Sequence, residues 1–357
     1  MSGAAVYLTG ATASGKSALA LRLAKRLGGE IISVDSMQVY RGLDIGTAKP
    51  SAAEQAEVPH HLIDVAGLDE AFDAAQFVRL AKRAEEGILQ RGCRPIFCGG
   101  TGLYFRAMIE GLGESPPGDE ALRESLSALP LEELVAELTA KDPQAAEQVD
   151  LQNPRRVVRA VEVIRVTGRP YSEQRTGWNE SSQTAKNFFC VQREVDELNQ
   201  RIHSRVDAMF ELGLVEETKR LAKRGLRENR NACQALGYRQ VLSHIDGALG
   251  LEETVEQVKI KTRQFAKRQR SWFRNQMICE RLDWPAGRTQ ILFASGCLAG
   301  SVDRFFENRI RLALVFGASV FTATWAAARA VFSPYPWWAF ARASLEAVTR
   351  CGGTQVL

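Results

Sequence analysis

The chain has 357 residues, 45% hydrophobic and 25% charged, with a formal net charge of +4. That length supports two or three modest domains with a real core, and the composition is that of an ordinary soluble globular protein. The seven cysteines are odd in number and form no C-x-x-C, which argues against a disulfide framework or a zinc ribbon and for a reducing, cytoplasmic setting.

The start, MSGAAVYLTG, lacks a charged region followed by a long apolar one, so no signal peptide is expected. Ala5 to Thr9 reads as a short buried strand. Lys16 to Leu27 follows with helical spacing of leucines and stops at Gly28-Gly29. Glu30 to Val34 reads as a second strand ending at Asp35. The His60-His61 pair reads as structural, because none of the four histidines has metal-site spacing. A helix around Phe77 to Leu89 leads to a third strand, Arg94 to Cys98, which runs into GGTGLYF. Strands alternating with helices predict a parallel sheet with helices on both faces, an α/β fold.

After Gly111 the Gly/Pro-rich GLGESPPGDE changes the pattern. Helical segments follow at Pro130 to Lys141 and from Asn153-Pro154 to about Val166, the latter with Asn as N-cap, Pro at the first position and Gly168 at the end. Residues 115–190 read as a helical insertion, and Phe188 to Gln192 as a return to the sheet. From Val195 to Asp283 the chain reads as mostly helical. Seven Lys/Arg and no acid lie between Lys259 and Arg274. Arg263, Lys267, Arg270 and Arg274 share one helix face, and Phe265 and Trp272 another. The missing acids favour an anionic polymer over plain solvation. Beyond Trp284-Pro285 the chain has no Lys and three of its six Trp. Its apolar run Leu312 to Ala328 contains Gly, Ser and Thr, which favours a docking segment or partly folded tail over a membrane span. No membrane partner is expected.

GATASGKS, with Gly10, Ala11, Thr12, Ala13, Ser14, Gly15, Lys16 and Ser17, carries the clearest chemistry. Its glycines let successive amides point at phosphate oxygens, the following helix adds its positive end, Lys16 adds a charge, and Ser17 offers a hydroxyl to Mg²⁺. Strand, loop and helix all stand where this phosphate loop (P-loop) needs them. Asp35 has three readings: metal ligand, general base or strand-end cap. The base is favoured. In GGTGLYF, Gly99 and Gly100 allow close backbone approach and Thr101 presents a hydroxyl beyond a strand's carboxyl end. NPRRVVRAVEV puts Arg155, Arg156 and Arg159 around a short helix whose Val157, Val161 and Ile164 face inward.

GATASGKS, SVDSMQVYRGLDIGTAKP, GGTGLYF, NPRRVVRAVEV, ALGYRQ and KRQRSWFRN, in this order, closely resemble the tRNA dimethylallyltransferase family over residues 5–285. The resemblance implies a P-loop NTPase-like core holding dimethylallyl diphosphate rather than ATP. The dimethylallyl group would pass to N6 of the adenosine 3′ of the anticodon, flipped from its stack. It implies a diphosphate seat of Gly10 to Ser17 with Arg205, Mg²⁺ at Ser17, and catalytic roles for Lys16, Asp35 as base and Thr101. It implies tRNA contact by Asp35, Ser36, Met37, Gln38, Thr101, Arg123, Arg155, Arg156, Val157, Val158 and Arg159. Gln234, Gly237, Tyr238, Arg239, Lys267, Arg268, Arg270, Trp272 and Arg274 complete that set.

The resulting division is 1–114 for the first part of the core and 115–190 for an insertion gripping the anticodon stem-loop. Residues 191–286 would complete the core with helical basic segments, and 287–357 form an atypical tail that departs from the family pattern and reads as appended. A monomer is expected. The competing readings are a P-loop small-molecule kinase, an adenylate isopentenyltransferase acting on free nucleotide, and a non-catalytic RNA-binding protein. The basic helices and the insertion argue against the first two, and the set of Lys16, Asp35 and Thr101 argues against the third.

Overall fold

The computed structural model describes residues 4–112, 116, 118–174 and 187–283. The expectations for the tail, including the Leu312 to Ala328 run, lie outside the described residues. Among the described residues no helix is long and apolar enough to cross a membrane.

The chain begins with β1 (Val6–Gly10), α1 (Lys16–Leu27), β2 (Gly29–Val34), α2 (Ala52–Glu57) and β3 (His60–His61). Then come α3 (Ala74–Gln90), β4 (Arg94–Gly99) and α4 (Gly102–Glu110). The insertion supplies α5 (Glu120–Ser127), α6 (Leu131–Lys141), α7 (Pro143–Gln148), α8 (Pro154–Thr167) and α9 (Tyr171–Gln174). The chain returns as β5 (Phe188–Gln192) and continues as α10 (Val195–Glu211), α11 (Leu214–Ala222), α12 (Tyr238–Ile245), α13 (Leu251–Gln276) and β6 (Glu280–Asp283).

The strands form one parallel sheet in the order β3-β2-β4-β1-β5-β6. Every residue of β2 is buried, which requires cover on both faces. The strand expected third, Arg94 to Cys98, is therefore fourth in the chain: the His60-His61 pair forms a two-residue edge strand before it. The edge strand β6 was likewise not expected inside the mostly helical segment. Both are short and polar, so neither shows an apolar alternation.

The insertion has its own apolar cluster, in which Leu126, Leu134 and Leu138 pack on Val157, Val161 and Ile164 of α8. Gly168 ends α8 in the left-handed region at φ 68°. Pro154 opens that helix as expected, but Asn153 makes no side-chain cap, so its N-cap role is conformational only. Asp119 and Asp142 do cap their helices, accepting from Leu122 N and Ala145 N; such caps stabilise by about 1 kcal/mol each.

In the sheet, Glu30 on β2 is buried and takes a two-pronged bond from Arg91 (2.8 and 2.7 Å) and a 2.6 Å contact from His61 on the edge strand β3. The Arg91 bond, helped by His61 and opposed by burial, lowers the Glu30 carboxyl to about 2. A carboxyl lowered on folding stabilises the fold above its unfolded pKa and loses that contribution as pH falls towards 2. We expect Glu30→Gln to flatten the dependence of unfolding free energy on pH below about 4.5, read by denaturant titrations at several pH values.

Candidate functional site

The register aligns Thr9 with Gly99 and Val34 with Gly99, and Gly10 with Val191. The loops that follow β1, β2 and β4 therefore emerge side by side at the carboxyl edge of the sheet. A Cβ on Gly99 would lie 2.0 Å from Val34 O, so only glycine permits this approach.

The loop after β1 is held from below. Ala11 and Ala13 pack on Leu198, Ile202 and Val206 of α10 and on Val258 and Ala266 of α13. Three arginines brace its other atoms. Arg193 Nε donates to Ser14 O (3.2 Å), Arg201 Nε to Ala13 O (2.9 Å) and Arg205 Nη1 to Thr12 Oγ1 (3.3 Å). Lys16 Nζ turns back to Ala11 O at 3.2 Å. Burial pushes both Lys16 and Arg205 down, and each also feels a nearby arginine; the Asp35 charge acts in the other direction on Lys16. Among the described residues no carboxylate forms an ion pair with Lys16, Arg201 or Arg205, whereas Arg193 is paired with Glu197. The α1 N-terminus has no acid in its first turn and no side-chain cap. Ser14 Oγ is buried without a partner. Unpaired cations at a helix N-terminus make an anion site. The grip is narrower than the whole loop, because Thr12 N is committed to Gln269 Oε1 (2.8 Å) and Ser14 N to Ala11 O (3.2 Å).

Asp35 follows β2. Its Oδ1 accepts from Met37 N (2.8 Å) and Gln38 N (3.3 Å), while Oδ2 takes no hydrogen bond among the described residues. Thr101 N donates to Val34 O (3.2 Å), and Thr101 Oγ1 accepts from Ser36 N (3.1 Å) instead of capping α4. The Thr101 hydroxyl proton meets no acceptor among the described residues, so one carboxylate oxygen and one donor hydroxyl remain for a ligand. Gln38 is occupied internally: Ser33 Oγ donates to its Oε1, and its Nε2 donates to Thr47 O and Ala48 O.

A cleft of about 590 Å³ lies between the insertion and the segment before α12, lined by Arg123, Arg155, Arg159, Arg227, Arg230 and Gln234. The fully buried Glu162 orders two of these cations. Arg123 Nε and Arg159 Nη1 both donate to it, at 3.0 and 2.7 Å. Arg155 and Arg156 are exposed on α8. Val157 and Val158 face the insertion's core, so their side chains serve packing rather than surface contact. Tyr238 is buried too, with its hydroxyl donating to Glu217 (2.6 Å) and accepting from Gly46 N (3.0 Å). Gly237 precedes α12 at φ 88°, and Arg239 donates to Gln234 Oε1 at 3.0 Å. On α13, Lys267, Arg268, Arg270 and Arg274 are exposed. Arg263 is turned towards His203 and leaves the predicted stripe, while Trp272 packs edge-on against Phe273.

A family model described as IPP transferase matches residues 38–276. The chain belongs to the IPP transferase family. The tRNA dimethylallyltransferase 1 of Trichlorobacter lovleyi is 44% identical over 292 residues, covering 80% of this chain and 95% of that relative. The tRNA dimethylallyltransferase of Levilactobacillus brevis is 46% identical over 277 residues, covering 76% and 89%. The crystal structure of the full-length tRNA isopentenylpyrophosphate transferase of Bacillus halodurans matches at 42% identity and TM-score 0.57, covering 78% of this chain and 89% of that one. A eukaryotic dimethylallyltransferase crystallised acting on tRNA matches at 28% identity and TM-score 0.69, covering 86% and 80%.

The chain therefore has the α/β fold its motifs implied. Several site groups carried no motif signal of their own. Glu197, Arg201 and Arg205 stand at steps of four on α10, and Arg193 lies just before that helix, a spacing legible in the sequence once α10 is known. Arg227 and Arg230, ion-paired with Asp246 and Glu124, looked like ordinary surface. Glu162 and Gln269 sit in motifs read for their basic neighbours. Arg205→Ala should weaken binding of inorganic pyrophosphate about 10- to 100-fold, the range for a bond to a charged group, read by calorimetry.

Proposed function

We propose that the chain transfers a dimethylallyl group from dimethylallyl diphosphate to N6 of the adenosine 3′ of the anticodon in tRNA. The observation that carries this reading is the facing of two unlike sites on one sheet edge. Unpaired cations at a helix N-terminus suit a leaving diphosphate, and beside them Asp35 Oδ2 and the Thr101 hydroxyl suit a reacting amine. Curated relatives named tRNA dimethylallyltransferase support tRNA as the acceptor.

In this mechanism the N6 lone pair attacks the allylic carbon, the carbon–oxygen bond to diphosphate breaks, and Asp35 takes the N6 proton. An aromatic amine is a poor nucleophile, so alignment and proton removal both matter. Lys16, Arg205 and the free amides at the start of α1 stabilise charge growing on the leaving oxygens. Thr101, tied to Ser36 N, donates at the reacting centre. The exposed Ser17 hydroxyl and the oxygens of a diphosphate form the hard-donor set that Mg²⁺ takes. Ser17 would hold the ion, which when bound adds positive charge to the leaving group. A cavity of about 490 Å³ beside Arg205, with Ile45, Ala208, Met209 and Leu212 in its wall, offers apolar cover to a prenyl chain.

The target base must leave its stack to reach this edge, as in other base-modifying enzymes. The 115–190 insertion, through Arg123, Arg155, Arg156 and Arg159, and α13, through Lys267, Arg268, Arg270 and Arg274, would hold the anticodon stem-loop. Gln234 and Arg239 would add contacts between them.

Mixing the protein with tRNA and labelled dimethylallyl diphosphate tests the reading directly. Label that stays off tRNA while ATP is consumed with a small acceptor would overturn it, as would a preference for free nucleotide. Asp35→Ala should lower the single-turnover rate about 1,000-fold with tRNA affinity retained; an unchanged rate removes Asp35 as base. Lys267→Ala with Arg270→Ala should weaken tRNA binding and reduce the slope of log K against log salt by about 1.5, with pyrophosphate binding unchanged.

A further inference from the structure

Gln269 stands between Arg268 and Arg270 on α13, yet it points the other way. Its neighbours are exposed, while Gln269 is only 7% exposed. Its Oε1 accepts from Thr12 N at 2.8 Å, and its Nε2 donates to Gly100 O at 2.9 Å. One side chain thus ties the phosphate loop after β1 to the loop that carries Thr101 after β4. A Cβ on Gly100 would lie 2.3 Å from Nε2, so glycine there is what lets the amide in. Near the next turn of α13, Trp272 closes over Gly102, where a Cβ would meet the indole at 2.2 Å. Ala266 of the same helix packs with Ala11 and Ala13 of the phosphate loop.

We infer that Gln269 is a positioning residue that holds the phosphate loop and the Thr101 loop in one register and makes that register depend on α13. A side-chain amide carries an acceptor and a donor on one carbon, which suits an N–H and a carbonyl that converge on the same point. The two loops supply opposite halves of the reaction: one grips the leaving group, and the other presents the donor at the attacked centre. A misplacement of about 1 Å between such halves costs on the order of 100-fold in rate. The link to RNA, through Lys267, Arg268 and Arg270 on the outer side of α13, rests on the transferase reading; the hold on the two loops does not.

The test uses the full chain and two variants. Gln269→Met keeps the length of the side chain and removes both polar ends. Gln269→Glu keeps an acceptor for Thr12 N and sets a carboxylate against Gly100 O. Each is expected to slow single-turnover transfer about 100-fold and to weaken inorganic pyrophosphate binding measured by calorimetry. tRNA affinity by filter binding should stay within about two-fold, because the exposed cations that meet phosphates are untouched. Unchanged rate and pyrophosphate affinity, or a slower rate fully accounted for by lost tRNA affinity, overturns the inference. If Gln269→Met does not fold, Gln269→Glu carries the same comparison. Wild-type protein that moves no label to tRNA sinks the transferase reading instead; the pyrophosphate comparison then decides the role of Gln269 by itself.

Discussion

β2 and β4 approach so closely at their carboxyl ends that Gly99 has no room for a side chain beneath Val34 O. The rest of the site depends on that contact. It lets Thr101 N reach Val34 O and Ser36 N reach Thr101 Oγ1, so the segment carrying Asp35 and the segment carrying Thr101 share two hydrogen bonds. The phosphate loop joins them through the register of β1 on β4 and through Gln269. A loop free to move would let the segments carrying Lys16, Asp35 and Thr101 drift apart. Here backbone bonds, the Thr101 hydroxyl and the buried Gln269 amide together set their spacing.

The cations of the molecule fall into two electrostatic classes. Around the phosphate loop, Lys16, Arg201 and Arg205 have no acid partner among the described residues and contact loop oxygens that are carbonyls or a hydroxyl, whereas Arg193 is paired with Glu197. The cleft of the insertion is built differently. Arg123 and Arg159 share the buried Glu162, which orients them while leaving donors over. Removing a partner from such a buried network typically costs about 3–5 kcal/mol, so the pair is part of the insertion's scaffold.

The elements with strong periodicity were legible in the sequence. α1 ends where Gly28 enters the left-handed region, and Phe188–Gln192 returns to the sheet beside β1. β3 and β6 were not, because a strand of two histidines and one reading ERLD show no apolar alternation; their neighbours in the sheet make them strands. The expected cap at Asn153 failed for a related reason: the residue type suits a cap, but the side chain must also turn towards the helix, and here it does not. The expected arginine stripe on α13 was correct in spacing and incomplete in environment, since Arg263 meets His203 on α10.

Spacing alone determined that this chain carries a phosphate loop on a strand–loop–helix unit, a carboxylate and a threonine at strand ends, and a helix of cations without acids. Those properties depend on residues near one another in the chain. Tertiary structure decided which groups remain available to a ligand. Gln38, Tyr238, Val157 and Val158 sit in motifs yet spend their side chains on the protein's interior, while Gln269, hidden in a basic run, bridges two loops that lie 88 residues apart in the chain (Thr12 to Gly100). A side chain's partners are set by packing between distant segments, and no local pattern encodes which of its faces that packing will use.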